Sequence, residues 1–208
     1  MRLVNSSYEI LSEIDSEKMM KSIEIAGRTC YKSEDKITMD SATKFVEMIA
    51  KRGHLTVIEH EKITIRFIFD RGISHEMVRH RLASFSQEST RYCNYSKDKH
   101  DNQITLIGIS QHLKNQESLD VWLRAMENAE KAYFKLIELG ETPQIARSVL
   151  PNSLKTEIVV TANLREWRLI LTQRTASAAH PQIREVMRPL LAELKSKLPV
   201  IFNDISYE

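Results

Sequence analysis

The side chains best equipped for chemistry fall in one run, Arg79-His80-Arg81-Leu82-Ala83-Ser84-Phe85-Ser86-Gln87-Glu88-Ser89-Thr90-Arg91. A guanidinium stays charged at any working pH and offers a planar fork of donors to carboxylates and phosphates. Three consecutive side chains on a helix span about 200°, so Arg79, His80 and Arg81 cannot all share one solvent face. At least one must turn inward or into an interface, where an unpartnered arginine is very costly. Its partner is then a protein carboxylate or an anionic ligand. The hydroxyls, amide and backbone N–H groups that follow, closed by Arg91, suit a phosphate. The competing reading is a solvated basic turn with ordinary salt bridges. A nucleic-acid patch fits less well: the surrounding chain is not basic, and the nearby aromatics are only Phe85 and Tyr92.

A second pattern, His75-Glu76-Met77-Val78-Arg79-His80, imitates the zinc-protease motif but misses it by one residue. Histidines five apart on a helix lie roughly 140° from each other, so they do not grip one metal as an i,i+4 pair does. His54, Glu59 and His60 could add ligands only from elsewhere in the fold. Cys30 and Cys93 have no motif spacing, so they read as packing residues in a reducing cytoplasm. Lys and Arg number 30 against 28 Asp and Glu, a formal charge of +2, which excludes a polybasic arm or an acidic tail as the theme. No run approaches the roughly 18 apolar residues of a membrane span, and no apolar leader is visible at residues 1–10.

The elements that must position these residues are predicted as follows. The 208-residue chain, 42% hydrophobic with only 5 Gly and 5 Pro, is long enough for one well-buried domain. Residues 1–14 read as a β segment broken at Asn5-Ser6-Ser7. Helices are expected over 16–28, with Met19, Met20, Ile23 and Ala26 inward, and over 41–52, with Phe45, Met48 and Ile49 inward and Gly53 as the stop. Residues 62–69 are the clearest strand, with Ile63, Ile65, Phe67 and Phe69 on one face. Asp70-Arg71-Gly72 reads as a turn, 73–83 as a helix, and 84–102 as a polar loop, long enough to be functional. A long helix follows over 110–140, a short one from Thr142-Pro143, a strand over 156–162, and helices over 164–174 and 181–198, the last interrupted at Pro189. The expectation is α+β: a mostly helical single domain over 1–208 with a small antiparallel-containing sheet.

The run 79–91 resembles the signature of the flavin-dependent thymidylate synthase family: Arg-His-Arg, seven residues, Ser, one residue, Arg. Arg79-His80-Arg81, Ser89 and Arg91 meet every fixed position. Gly53-His54-Leu55-Thr56-Val57-Ile58-Glu59-His60 resembles the family's upstream element. Ile145-Ala146-Arg147-Ser148-Val149-Leu150-Pro151, Asn163-Leu164-Arg165 and Arg174 follow in family order. The resemblance runs over about residues 15–200.

The resemblance implies reductive methylation of dUMP to dTMP, with 5,10-methylenetetrahydrofolate as carbon donor and FAD, reduced by NADPH, as the hydride source. It implies a cytoplasmic homotetramer with shared sites and small-molecule partners, neither nucleic acid nor membrane. The alternative is a non-catalytic nucleotide- or RNA-binding module using the same arginine loop. By resemblance, Glu76, Arg79, Gln87, Glu88, Ser89, Thr90, Arg91, Arg147 and Arg174 meet dUMP. Thr56, Arg79, His80, Arg81, Gln87, Asn163 and Arg165 meet FAD. Arg174 is the catalytic residue by the same token: a cation at the O2/N3 edge of uracil stabilises charge in the ring and makes C5 a better nucleophile. Ser89 has no identifiable base beside it, so it reads as a phosphate ligand rather than a nucleophile. Glu76 and Leu169 depart from members that carry glutamine and asparagine there. Competing structural readings are a core role for His54 and His60, a helix N-cap for Asn163, which is compatible with a cofactor role, and a helix-end role for Arg174.

Overall fold

The computed structural model describes residues 1–95 and 102–207. In chain order the elements are β1 (Arg2–Val4), β2 (Ser7–Ile10), α1 (Ser16–Tyr31), α2 (Ser41–Lys51), β3 (Lys62–Asp70), α3 (Arg71–Met77), β4 (Ala83–Gln87), β5 (Thr105–Ile107), α4 (Gln116–Glu138), α5 (Pro143–Ala146), β6 (Lys155–Asn163), α6 (Leu164–Thr175), α7 (Pro181–Lys197) and α8 (Pro199–Phe202), with short 3-10 turns between them. The architecture is α+β with a small antiparallel sheet, as expected. Four strands lie in the order β2-β3-β6-β4, and β1 pairs in parallel with β5, Leu3 opposite Leu106.

Contacts divide the chain into two compact units. The first is built from Met1–Ser7, Phe67–Arg79 and Ser86–Ile158, the second from Tyr8–Arg66, His80–Phe85 and Val159–Glu208. In the first unit a core of Tyr95, Ile104, Leu106, Met126, Tyr133, Ala146 and Leu154 lies under α4. The Tyr95 and Tyr133 rings meet edge-on at 5.6 Å. In the second unit α1, α2, α6 and α7 bury their apolar faces, with Ile23, Val46, Ile170 and Leu190 inaccessible. Gly27 sits where α1 crosses α2: a Cβ there would stand 2.6 Å from the Phe45 ring.

Each unit holds a strand-to-helix junction capped by a side chain. Along β3, Ile63, Ile65, Phe67 and Phe69 are all fully buried, as their alternation predicts. Asp70 then does not turn the chain. Its carboxylate accepts from the Ile73 N–H at 2.7 Å and starts α3 directly. At the end of β6, Asn163 does the same for α6, its Oδ1 accepting from the Glu166 N–H at 2.8 Å.

Several boundaries differ from the sequence reading. The helix expected over 73–83 stops at Met77, and β4 occupies the start of the polar stretch. Serine, phenylalanine and glutamine there alternate half-buried with exposed, a strand pattern that polar composition hides. The part of that stretch at 96–101 lies outside the described residues. Met48 is exposed and Val46 takes its place in the core. The long helix starts at Gln116, capped by Asn115, not at Ser110. Pro189 lies inside an uninterrupted α7. Proline in a helix interior costs about 3 kcal/mol, and the buried stripe of Ile183, Val186, Met187, Leu190, Leu191 and Leu194 outweighs it.

Candidate active site

The second unit holds a buried polar constellation. His80 lies just beyond α3 and before β4, 5% exposed, so of the Arg-His-Arg run it is the histidine that turns inward. Arg79 and Arg81 on either side are exposed. Arg174, near the C-terminal end of α6, donates from Nε to His80 Nε2 at 3.0 Å. On the other side of the ring, His80 Nδ1 stands 3.6 Å from Glu166 Oε1. Burial and then the adjacent Arg174 cation push the His80 pKa down from 6.5 to about 4, so the ring is neutral at physiological pH. Because Nε2 accepts, the proton resides on Nδ1, facing Glu166. Glu166 is itself 5% exposed, and burial raises its carboxyl pKa above the ordinary value.

The same unit carries a polar groove of about 390 Å³ lined by His60, Lys62, Arg81, Ser84, Thr161 and Asn163 among others. Nearby on this unit Arg165 pairs with Glu59 at 2.6 Å, and Thr56 is exposed. Exposed cations beside an amide and hydroxyls fit the pyrophosphate and polar edges of FAD. Asn163 is both a helix cap and a wall of the groove, so its two readings are compatible. His54 and His60 are exposed rather than core residues, His54 Nδ1 lying 3.3 Å from the Tyr31 hydroxyl. Leu169 is 46% exposed on α6.

In the first unit a cavity of about 370 Å³ is lined by Arg71, Thr90, Gln144, Arg147 and Ser148, with residues from 150–154 closing it. Arg147 donates from Nη1 to the Thr90 hydroxyl at 2.9 Å, so the two join 57 residues apart in the chain. Two cations and two hydroxyls around a small cavity suit a phosphate. Arg71 was missed as a candidate because Asp70-Arg71-Gly72 reads as a turn. Its position just after the Asp70 cap was the signal available.

The rest of the loop is partly committed. The Gln87 amide donates to Ser74 Oγ at 2.8 Å and Thr156 Oγ1 at 3.2 Å. Glu88 accepts from Lys155 at 3.1 Å, and its own N–H bonds to the Glu157 carbonyl at 2.8 Å. Ser89 Oγ accepts from the Arg91 N–H at 3.3 Å, which sets the turn that leaves the Arg91 side chain exposed, 5.6 Å above the Tyr92 ring. Glu76 is half-buried on α3.

The chain is similar to known proteins over most of its length. A family model described as "Thymidylate synthase complementing protein" matches residues 12–200. A flavin-dependent thymidylate synthase of Mycolicibacterium vanbaalenii is 34% identical over 201 residues, covering 88% of this chain and 78% of that protein. One from Geobacter sulfurreducens is 33% identical over 189 residues, covering 88% and 80%. The crystal structure of the UMP/dUMP methylase PolB from Streptomyces cacaoi, bound with 5-Br dUMP, superposes with a TM-score of 0.80 at 21% identity, covering 98% of this chain and 96% of that one. That likeness establishes the fold. The chain belongs to the flavin-dependent thymidylate synthase family.

Proposed function

We propose that this chain is an FAD-dependent methyltransferase that converts dUMP to dTMP, with 5,10-methylenetetrahydrofolate as carbon donor and NADPH as reductant. The observation that carries the reading is the Arg174–His80 bond: residues 94 positions apart, each singled out by the family resemblance, meet at 3.0 Å. A non-catalytic binding module is not favoured, since the named relatives over most of the chain are synthases.

On this reading Thr90, Arg147, Ser89 and Arg91 bind the dUMP phosphate, and Arg71 adds a cation in the same cavity. Glu76, Arg79 and the loop through Gln87 and Glu88 shape the nucleotide site. The bonds of Gln87 to Ser74 and Thr156, and of Glu88 to Lys155, make them supports of that loop. Thr56, Arg79, His80, Arg81, Gln87, Asn163 and Arg165 hold FAD, which when bound passes on the hydride received from NADPH. Arg174 meets the uracil ring and stabilises negative charge there, an electrostatic contribution that needs no thiol. A neutral His80 beside it keeps a second cation out of the site.

The 1–208 chain acts as one catalytic domain, since a single family model crosses both units. It assembles as a homotetramer with shared sites. One observation supports this: α4 leaves apolar Val121 55% exposed. Cys30 and Cys93 are thiols rather than halves of a disulfide, which is compatible with a cytoplasmic setting.

The absorbance spectrum of the purified protein is the direct test. Flavin bands that bleach under NADPH without oxygen support the reading. A colourless protein that takes up no added FAD would overturn it.

A further inference from the structure

We propose that Glu166 is a positioning residue for dUMP activation: acting through His80, it fixes the plane of the Arg174 guanidinium. The inference rests on the reading of Arg174 as the group that meets the uracil ring. Glu166 and Arg174 are eight residues apart on α6, about 12 Å along the axis and about 80° around it. The His80 ring fills the interval, one nitrogen turned to each. Glu166 is held at its end of the ring by the Asn163 cap, which bonds its backbone N–H. A carboxylate facing Nδ1 favours the tautomer with the proton there, and that tautomer is the one whose Nε2 can accept from arginine. Anchoring an arginine by Nε fixes the orientation of the whole planar group, because Nε lies in the guanidinium plane.

A buried carboxylate is costly unless something compensates it, and the 3.6 Å gap to His80 is long for a full hydrogen bond. Stability therefore accounts poorly for Glu166 at this position. Orientation of a charge that must not reorganise during reaction accounts for it better.

The test is Glu166→Gln, alone and combined with Arg174→Ala. FAD content is read by absorbance, dUMP affinity by calorimetry, stability by thermal melting, and rate at saturating dUMP. The expected result is near-parental FAD content, melting temperature and dUMP affinity, with kcat lower by roughly 10- to 100-fold. In the Arg174→Ala background the same change should lower kcat no further, since the group being positioned is gone. Parental kcat in Glu166→Gln, or an equal further loss on top of Arg174→Ala, overturns the positioning role. Parental kcat in Arg174→Ala alone would instead defeat the activation reading, so the two failures are distinguishable. If Glu166→Gln does not fold, Glu166→Asp, which withdraws the carboxylate from the ring, is read by the same criteria.

Discussion

Arg91 and Arg174 are both assigned to dUMP, yet they do different work on it. The phosphate does not change during the reaction, so on the proposed assignment Arg91 should contribute uniform binding. A charge-assisted contact of this kind contributes about 1.5–3 kcal/mol. Arg91→Ala should raise the dUMP KM by about 10- to 150-fold with a smaller loss in kcat. On the proposed assignment Arg174 would meet charge that grows as C5 attacks, so Arg174→Ala should lower kcat strongly even at saturating dUMP. Arg174→Lys should restore only part of it, because an ammonium lacks the planar edge and the Nε anchor to His80. Steady-state kinetics on the three variants check this; an Arg174→Ala enzyme defective only in KM would remove the activating role.

His80 also gives a stability prediction with a definite sign. Its folded-state pKa of about 4 lies below the ordinary 6.5, so the unfolded chain takes up the proton first on acidification. The His80 contribution is complete above pH 6.5, declines as pH falls from 6.5 to 4, and declines no further below that. The loss is at most about 3 kcal/mol, and proton uptake by Glu166, whose pKa is raised, offsets part of it. Urea unfolding at pH 7 and pH 5 should show a smaller difference for His80→Gln than for the parent. An equal difference would mean that His80 does not govern this window.

At the scale of elements, the β6–α6 junction carries Asn163, Glu166 and Arg174. Asn163→Ala removes the Oδ1 that accepts from the Glu166 N–H, which should cost about 1 kcal/mol. It should also weaken FAD retention, because Asn163 lines the groove. Flavin binding measured well below the melting transition separates the two effects, and unchanged FAD affinity would leave only the cap. At the α1–α2 crossing, Gly27→Ala places a methyl against the buried Phe45 ring and should destabilise by about 1–3 kcal/mol, read by chemical denaturation.

These elements also show what was legible in the sequence. Strand β3 was readable because Ile63, Ile65, Phe67 and Phe69 alternate without a fault, and every one is buried. The Asn163 cap was readable because its side chain has one short-range acceptor role. Strand β4 was not, since Ser84, Gln87 and their neighbours pair through backbone groups that composition does not reveal. The Arg-His-Arg run was rightly expected to turn one side chain inward, but helical geometry was the wrong reason: α3 ends at Met77. Arg71 and Glu166 were overlooked because their neighbourhood depends on segments distant in the chain. A motif fixes spacing along the sequence; it does not say which carboxylate faces which histidine.

At the scale of the whole molecule, among the described residues the 23-residue α4 buries Met126 and Tyr133 and partly buries Trp122, Phe134, Leu136 and Ile137 against the same core, while Val121 remains more than half exposed. A partly apolar helix of that length fits an interface with further copies. Sedimentation at micromolar concentration should therefore return the mass of a tetramer, and a monomer would contradict the shared-site assembly.

The central claim is that the molecule methylates dUMP reductively. Its most direct measurement is dTMP formation by the purified, FAD-loaded protein supplied with dUMP, 5,10-methylenetetrahydrofolate and NADPH, each omitted in turn. dTMP should form only when all are present, with tetrahydrofolate rather than dihydrofolate as the folate product, since the hydride comes from the flavin. No dTMP from the complete mixture, or turnover that persists after FAD and NADPH are removed, would contradict it.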